Sequence, residues 1–274
     1  MAVEELIIYG KKFLHSIEVK MLLARVLECD PLNLINILNE KVEESKVNLF
    51  KDLIKARLDN KPLQYILGTT NFYGLELIVN KNVLIPRFET EELVENTKKI
   101  IETKFKDISK IKILDLCCGS GAIGLALKNL FPEIDVTMSD ISRSALEVAK
   151  QNSAKLNLKS EIIESNLFEN IKEKYNIIVS NPPYIKVGEE IEDIVKNNEP
   201  PLALYAGEDG LYYYRNILEN IKDYLEDDFL IAFEIGYDQK EKIIKLIKEN
   251  LKNVNIITKK DLSDKDRMIF ITNI

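Results

Sequence analysis

The chain has 274 residues, with 38 Lys and Arg against 45 Asp and Glu, three cysteines, one histidine and no tryptophan. That length suffices for an α/β domain of ordinary size plus a small additional one, with apolar cores that need neither disulfides nor structural metals. The lone histidine, His15, cannot furnish a His-rich metal site and lies far from every glycine-rich segment, while a net charge of −7 argues against a protein whose main task is to grip nucleic-acid phosphates.

Cys29, Cys117 and Cys118 form no C-x-x-C pair, which fits a reducing compartment. Glu4 and Glu5 stand where a signal peptide would carry basic residues, and no run of eighteen residues is apolar and uncharged. The expectation is a soluble, cytoplasmic protein with no membrane partner.

Up to about Gly68 the apolar residues recur at helical spacing. Leu22, Leu23, Val26 and Leu27 mark one helix. Asp30-Pro31 reads as an N-cap with proline in the first turn of a second, carrying Leu34, Ile35 and Leu38. Leu49, Leu53 and Ile54 mark a third, which Lys61-Pro62 ends. Ten basic and ten acidic residues cancel over positions 1–70, so the whole −7 lies in the remainder. Residues 1–71 are therefore expected to form a small helical bundle without a basic field.

From Phe72 the period changes. Residues 72–79 and 83–86 read as two strands around Asn80-Lys81-Asn82, a hairpin linker over 72–86. Beyond it, strands are expected near 111–116, 134–139, 160–164, 175–180, 229–235, 254–258 and 268–272. Helices are expected near 91–104, 122–130, 142–156, 211–225 and 239–251. Such alternation predicts a Rossmann-like α/β domain over 87–274, a mostly parallel sheet with helices on both faces.

Within it, the strand ending Asp115-Leu116 runs into Cys117-Cys118-Gly119-Ser120-Gly121 and, with Gly124, fits G-x-G-x-x-G between a strand and a helix. The physical use of that pattern is a tight turn that brings backbone N–H groups and a helix N-terminus close to a ligand. Asp140, nineteen residues beyond Gly121, ends the next strand, where a carboxylate accepts both hydroxyls of an adenosine ribose or simply caps the following helix. Asp115 suits the ammonium of a methionine moiety, or equally the loop amides. The cofactor could thus be S-adenosylmethionine or a dinucleotide.

The fourth strand delivers Asn181-Pro182-Pro183-Tyr184 to the same end of the sheet. Asn181 offers an amide, Pro182 and Pro183 lack N–H groups and present carbonyl acceptors, and Tyr184 offers a flat face. Two acceptors, the Asn181 side-chain oxygen and the Pro182 carbonyl, suit a substrate NH2 on a planar carbon, either a carboxamide or an adenine. Methyl transfer from a sulfonium to such a nitrogen asks for positioning and desolvation, not for histidine or metal.

On these residues the chain resembles the class I S-adenosylmethionine-dependent methyltransferases, and more narrowly the peptide chain release factor glutamine N5-methyltransferases, the PrmC/HemK family. The resemblance extends to Gln64-Tyr65-Ile66-Leu67-Gly68, Phe72-Tyr73-Gly74, Pro86-Arg87-Phe88-Glu89-Thr90-Glu91, Glu199-Pro200 and Glu234-Ile235-Gly236 with Gln239. It implies a helical N-terminal substrate-recognition domain, a hairpin linker and a seven-stranded methyltransferase domain. It also implies a substrate, the glutamine of the Gly-Gly-Gln motif in class 1 release factors, with no nucleic-acid substrate. By position, Asn181 to Tyr184 would hold the amide, Gly119 to Gly121 would border the methionine part of the cofactor, Asp140 would bind its ribose, and Asn166 with Leu167 would sit near the adenine. Phe88, Cys117-Cys118 and Asn166 depart from the usual family residues. The adjacent thiols are expected to be packing residues, since nothing nearby is basic. Roles of Arg87, Glu89 and Glu91 are open between surface charge and site contact. Tyr212-Tyr213-Tyr214 is expected to serve mainly in packing. Adenine-N6 methylation of nucleic acid, glutamine methylation of a ribosomal protein and nicotinamide-dependent oxidoreduction are the competing activities.

Overall fold

The computed structural model describes residues 1–274. It comprises two compact units, Met1–Thr69 with Glu192–Asn198, and Thr70–Ile191 with Glu199–Ile274.

In the first unit, α1 (Val3–Gly10), α2 (Ser16–Leu27), α3 (Glu44–Leu58) and α4 (Leu63–Leu67) enclose Leu6, Leu22, Leu23, Leu34, Phe50 and Ile54. Asp30 does start a helix, its carboxylate accepting the Leu32 N–H at 2.7 Å, but Pro31–Ile37 winds as a 3-10 helix. Its tighter turn buries Leu34 and leaves Ile35 exposed. In α3 the buried face is Val47, Phe50 and Ile54, and the expected Leu49 is exposed. Leu49 lies one residue, roughly 100° of helix rotation, away from Phe50.

Next come β1 (Thr69–Phe72) and β2 (Leu75–Ile78), a hairpin turned at Tyr73-Gly74. Both turn residues have positive φ, 48° and 78°, as the two-residue turn matching strand twist requires. The expected hairpin around Asn80-Lys81-Asn82 is therefore displaced, and residues 83–86 form no strand. The Asn80 side chain accepts the Asn82 N–H at 2.9 Å, a local turn, and the Ile85 N–H is taken by a carboxylate, that of Glu199, so no strand partner is needed. Glu91 and Glu95 of α5 (Phe88–Lys104) accept the Tyr73 N–H and hydroxyl and hold the hairpin turn.

Then follow β3 (Lys112–Leu116), α6 (Ala122–Leu130), β4 (Asp135–Asp140), α7 (Arg143–Leu156), β5 (Glu161–Glu164) and β6 (Tyr175–Ser180). After the short α8 (Asp193–Asn198) of the first unit come α9 (Tyr212–Asn220), β7 (Leu225–Glu234), α10 (Lys240–Asn250), β8 (Asn255–Lys260) and β9 (Asp266–Thr272). The seven strands order as β5-β4-β3-β6-β7-β9-β8, parallel from β5 to β7, with β9 antiparallel to both neighbours. This is the α/β architecture expected from the alternation.

Strand period explains the two cores. Ile113, Ile177, Val179 and Leu230 pack with α5, α6 and α7 residues such as Leu93, Leu125 and Leu146. Their neighbours Leu114, Ile178 and Ile231 pack on the other face with Tyr214, Ile217 and Ile243 of α9 and α10. The chain leaves β3 toward β4 and β6 toward β7, so a crevice opens between the carboxyl ends of β3 and β6.

Candidate functional site

After β3, Cys117, Gly119 and Gly121 all have positive φ, 63°, 55° and 80°. For a cysteine this left-handed conformation stores on the order of 1–3 kcal/mol of strain. The result is a backbone that curls at the foot of α6. A Cβ built on Gly119 would meet nothing within 4 Å, so the backbone there is open. Gly124 has the opposite reason: its Cβ would lie 2.8 Å from Met138 Cγ and 3.0 Å from Asp115 Oδ2, so only glycine lets α6 approach β3 and β4.

Two acids divide the work behind this loop. Asp140 accepts the Gly119 N–H at 2.9 Å on one oxygen and the Ser142 N–H at 2.8 Å on the other, joining the glycine loop to the start of α7. Each oxygen keeps further lone-pair capacity. Burial raises its pKa against the pull of those amides. Asp115 is fully buried, accepts the Gly124 N–H at 2.8 Å and has no partner on Oδ1. Burial first, and the Asp140 charge after it, push it up to about 7.

At the end of β6 the Asn181 Nδ2 donates to Thr90 Oγ1 at 3.2 Å, and the Thr90 hydroxyl donates to Glu234 Oε2 at 2.6 Å. Thr90 sits in the first turn of α5 and Glu234 ends β7, so three distant segments meet. Glu234 is buried, and desolvation pushes it up to about 7 although Thr90, Arg267 and Asn181 favour its charge. Pro182 and Pro183 are buried. Gln239 Nε2 donates to the Tyr184 carbonyl at 2.8 Å and to the Gly210 carbonyl at 3.2 Å, clamping the loop from behind.

Both constructions open on one cleft with about 960 Å³ of empty space, its open mouth included. Its walls contain Cys117, Cys118, Gly119, Ser120, Asp140, Asn166, Leu167, Asn181 and Pro183 of the expected residues. Asp115, Gly121, Pro182 and Tyr184 are not on these walls: Asp115 is sealed behind the loop, the side of Gly121 that a side chain would take faces Met138, and the Tyr184 ring packs toward the α9 and α10 core. Leu167, at φ 50°, is a second strained residue on the wall, after β5. Asn166 gives its amino group to Glu169 at 2.8 Å, leaving its carbonyl oxygen as the acceptor. Val83, Leu84, Ile141, Ala145 and Leu202 make much of the remaining wall apolar, which suits a purine.

Sequence reasoning missed several contributors. Tyr213 lines the cleft, whereas Tyr214 is core and Tyr212 is exposed, so one helix sends three neighbouring rings in three directions. Arg87, left open, lines the cleft with one guanidinium nitrogen 2.6 Å from Glu199 Oε1; the other Glu199 oxygen accepts the Ile85 N–H at 3.1 Å. Their separation of 112 residues left no local signal. Glu89 and Glu91 are off the walls. Burial and the Asp140 charge raise both Cys117 and Cys118 thiols, which keeps them protonated and poor nucleophiles. No helix is long and apolar enough to cross a membrane.

Comparison with known proteins adds an independent line. The PrmC N-terminal domain family matches residues 5–68, and the Methyltransferase small domain family matches residues 88–198. A release factor glutamine methyltransferase of Streptococcus pneumoniae is 42% identical over 85% of this chain and 82% of its own. One from Clostridium botulinum is 39% identical over 93% of this chain and 91% of its own. Among solved structures, the 16S rRNA N2 G1207 methyltransferase of T. thermophilus, in complex with AdoMet and guanosine, has a TM-score of 0.53 at 16% identity. It covers 75% of this chain and 50% of that one, a likeness of fold alone.

Proposed function

The chain belongs to the family of release factor glutamine methyltransferases, and on that premise we propose that it methylates the side-chain amide nitrogen, N5, of the glutamine in the Gly-Gly-Gln motif of class 1 peptide chain release factors. The methyl donor is S-adenosylmethionine, which when bound supplies a methyl group on a sulfonium leaving group.

The residues present fit that donor. The Asp140 carboxylate spends one hydrogen bond per oxygen on backbone amides and retains capacity for two ribose hydroxyls. The open backbone at Gly119 admits the methionine part, and the apolar wall with Asn166 and Leu167 takes the base.

Asn181 carries the reading. Its amino group is committed to Thr90, so its carbonyl oxygen is the group left to accept from a substrate. That oxygen takes one hydrogen of a carboxamide NH2 and orients the nitrogen toward the methyl, whereas Pro182, expected to offer a second acceptor, is buried and does not line the cleft. Buried Pro182 and Pro183 bring no N–H that would compete for that acceptor and help keep water out.

The test offers radiolabelled cofactor with four acceptors: a class 1 release factor, its Gly-Gly-Gln to Gly-Gly-Ala variant, a ribosomal protein and DNA. Label enters the release factor and not its variant. Label in DNA or ribosomal protein, with none in release factor, would overturn the assignment.

A further inference from the structure

The Asn181 side chain serves an incoming NH2 in only one of its two amide orientations. Turned the other way, it would present donor to donor. What selects the useful orientation lies in the hydrogen bonds behind it.

The Thr90 hydroxyl has a single proton. It lies 2.6 Å from Glu234 Oε2 and 3.2 Å from Asn181 Nδ2. An ionised carboxylate accepts and cannot donate, so the Thr90 proton goes to Glu234. The Thr90 oxygen must then accept, and its partner must be the Asn181 amino group. Oδ1 of Asn181 is left as the free acceptor. Thr90 and Glu234 are both buried, so water does not readily replace either bond.

We propose that Thr90 and Glu234 are positioning residues for amide methylation, a relay in which the negative charge of Glu234 dictates the direction of the Asn181 amide through the Thr90 hydroxyl. The proposal rests on the function argued above and adds to it the origin of acceptor polarity at the substrate.

Protonation of Glu234 releases the relay. A carboxylic acid is both donor and acceptor, so it no longer fixes where the Thr90 proton points, and the Asn181 amide loses its imposed direction. The groups facing Glu234 oppose one another: Arg267 on β9, the Thr90 hydroxyl on α5 and the Asn181 amide favour the charge, whereas burial and Glu89 on α5 disfavour it. Tyr184 and the buried Tyr214, whose hydroxyl donates to the Glu234 backbone carbonyl at 2.6 Å, complete the surroundings. Burial dominates and pushes the carboxyl up to about 7, so mild acidification removes the constraint on the Asn181 amide.

Steady-state kinetics of Thr90→Val, Thr90→Ser and Glu234→Gln on a class 1 release factor, at saturating cofactor from acidic to alkaline pH, test this. Thr90→Val lowers kcat about tenfold or more with the KM for cofactor within about twofold, and Thr90→Ser, which keeps the hydroxyl, restores kcat. The wild type loses kcat as pH falls through neutrality, and Glu234→Gln abolishes that acid limb. Wild-type kcat in Thr90→Val, equal losses in both Thr90 variants, or an unchanged acid limb in Glu234→Gln would overturn the relay. Wild-type turnover is read first: its absence sinks the assigned function, and its presence with an unaffected Thr90→Val sinks only the relay.

Discussion

The two walls of the cleft are built over very different sequence distances. Behind the glycine loop, Asp115 meets Gly124 nine residues on, and Gly119 meets Asp140 twenty-one residues on. Behind Asn181, Thr90 lies 91 residues away, and Thr90 meets Glu234 across 144. The first wall works with backbone N–H groups whose direction follows from φ and ψ. The second works with side chains, whose direction depends on partners from other elements. A local wall can therefore be damaged by changing its own loop, and a distributed one from any of three segments.

That contrast is broken most sharply at Asn181. Asn181→Ala removes the acceptor and is expected to lower kcat by about 10²–10³, in the range of losing one group that acts in the transition state. Cofactor affinity by calorimetric titration stays within about twofold, because the glycine wall is untouched; parallel loss of affinity would mean that the walls are not separable.

Asp140→Ala is the mirror experiment. It removes the tether between Gly119 and Ser142 together with the oxygens proposed to take the ribose hydroxyls, and is expected to weaken cofactor binding roughly ten- to a hundredfold by titration, as loss of one or two charged hydrogen bonds predicts. Unchanged affinity would take the ribose role away from Asp140.

Gly124→Ala probes packing alone. The added methyl must displace Met138 and Asp115, costing about 1–3 kcal/mol of overpacking, of which ~1 kcal/mol is recovered in helix propensity. Urea unfolding of the variant should show a net loss, and a gain in stability would show that the helix can shift.

Stability carries a pH dependence of its own. Asp115 has its carboxyl pushed from 3.8 up to about 7 in the folded state, so between those values the native state binds more protons than the unfolded one. Stability without cofactor therefore falls as pH rises through that window. Glu234, raised from 4.5 to about 7, contributes with the same sign. Asp115→Asn should flatten part of the fall when urea midpoints at pH 5 and pH 8 are compared; an unaltered slope would mean that Asp115 keeps an ordinary pKa.

Much of the fold was legible because strands and helices announce themselves locally. Residues 175–180 form an almost fully buried strand, and 122–130 a helix bounded by glycine and a closing turn, as their apolar patterns indicate. The hairpin was misplaced because Asn80-Lys81-Asn82 has the composition of a turn, whereas Tyr73-Gly74 has the conformation of one, secured by Glu91 and Glu95. Leu49 and Ile35 were misassigned to buried faces because helix phase, and the choice of 3-10 over α, are settled by what packs against the helix.

The candidate site divides in the same way. Gly119, Asp140 and Asn181 could be named from spacing alone, since their conformations and places at strand ends are local properties. Tyr213 and the Arg87–Glu199 pair could not, because a ring's direction and an ion pair's partner are set by elements far along the chain.

By itself the sequence determined a strand, a glycine turn, a helix and an acid in series, and an Asn-Pro-Pro-Tyr segment after a buried strand, because hydrophobic period, φ preferences and missing N–H groups act within a few residues. Only the tertiary structure decided that Asp115 is sealed behind the loop, that Tyr184 turns to the core and Tyr213 to the cleft, and that the Asn181 amide has one direction. The reason is physical: an amide carries both a donor and an acceptor, and which of them faces a ligand is fixed by the proton inventory of buried neighbours that the chain supplies from 91 residues away and farther.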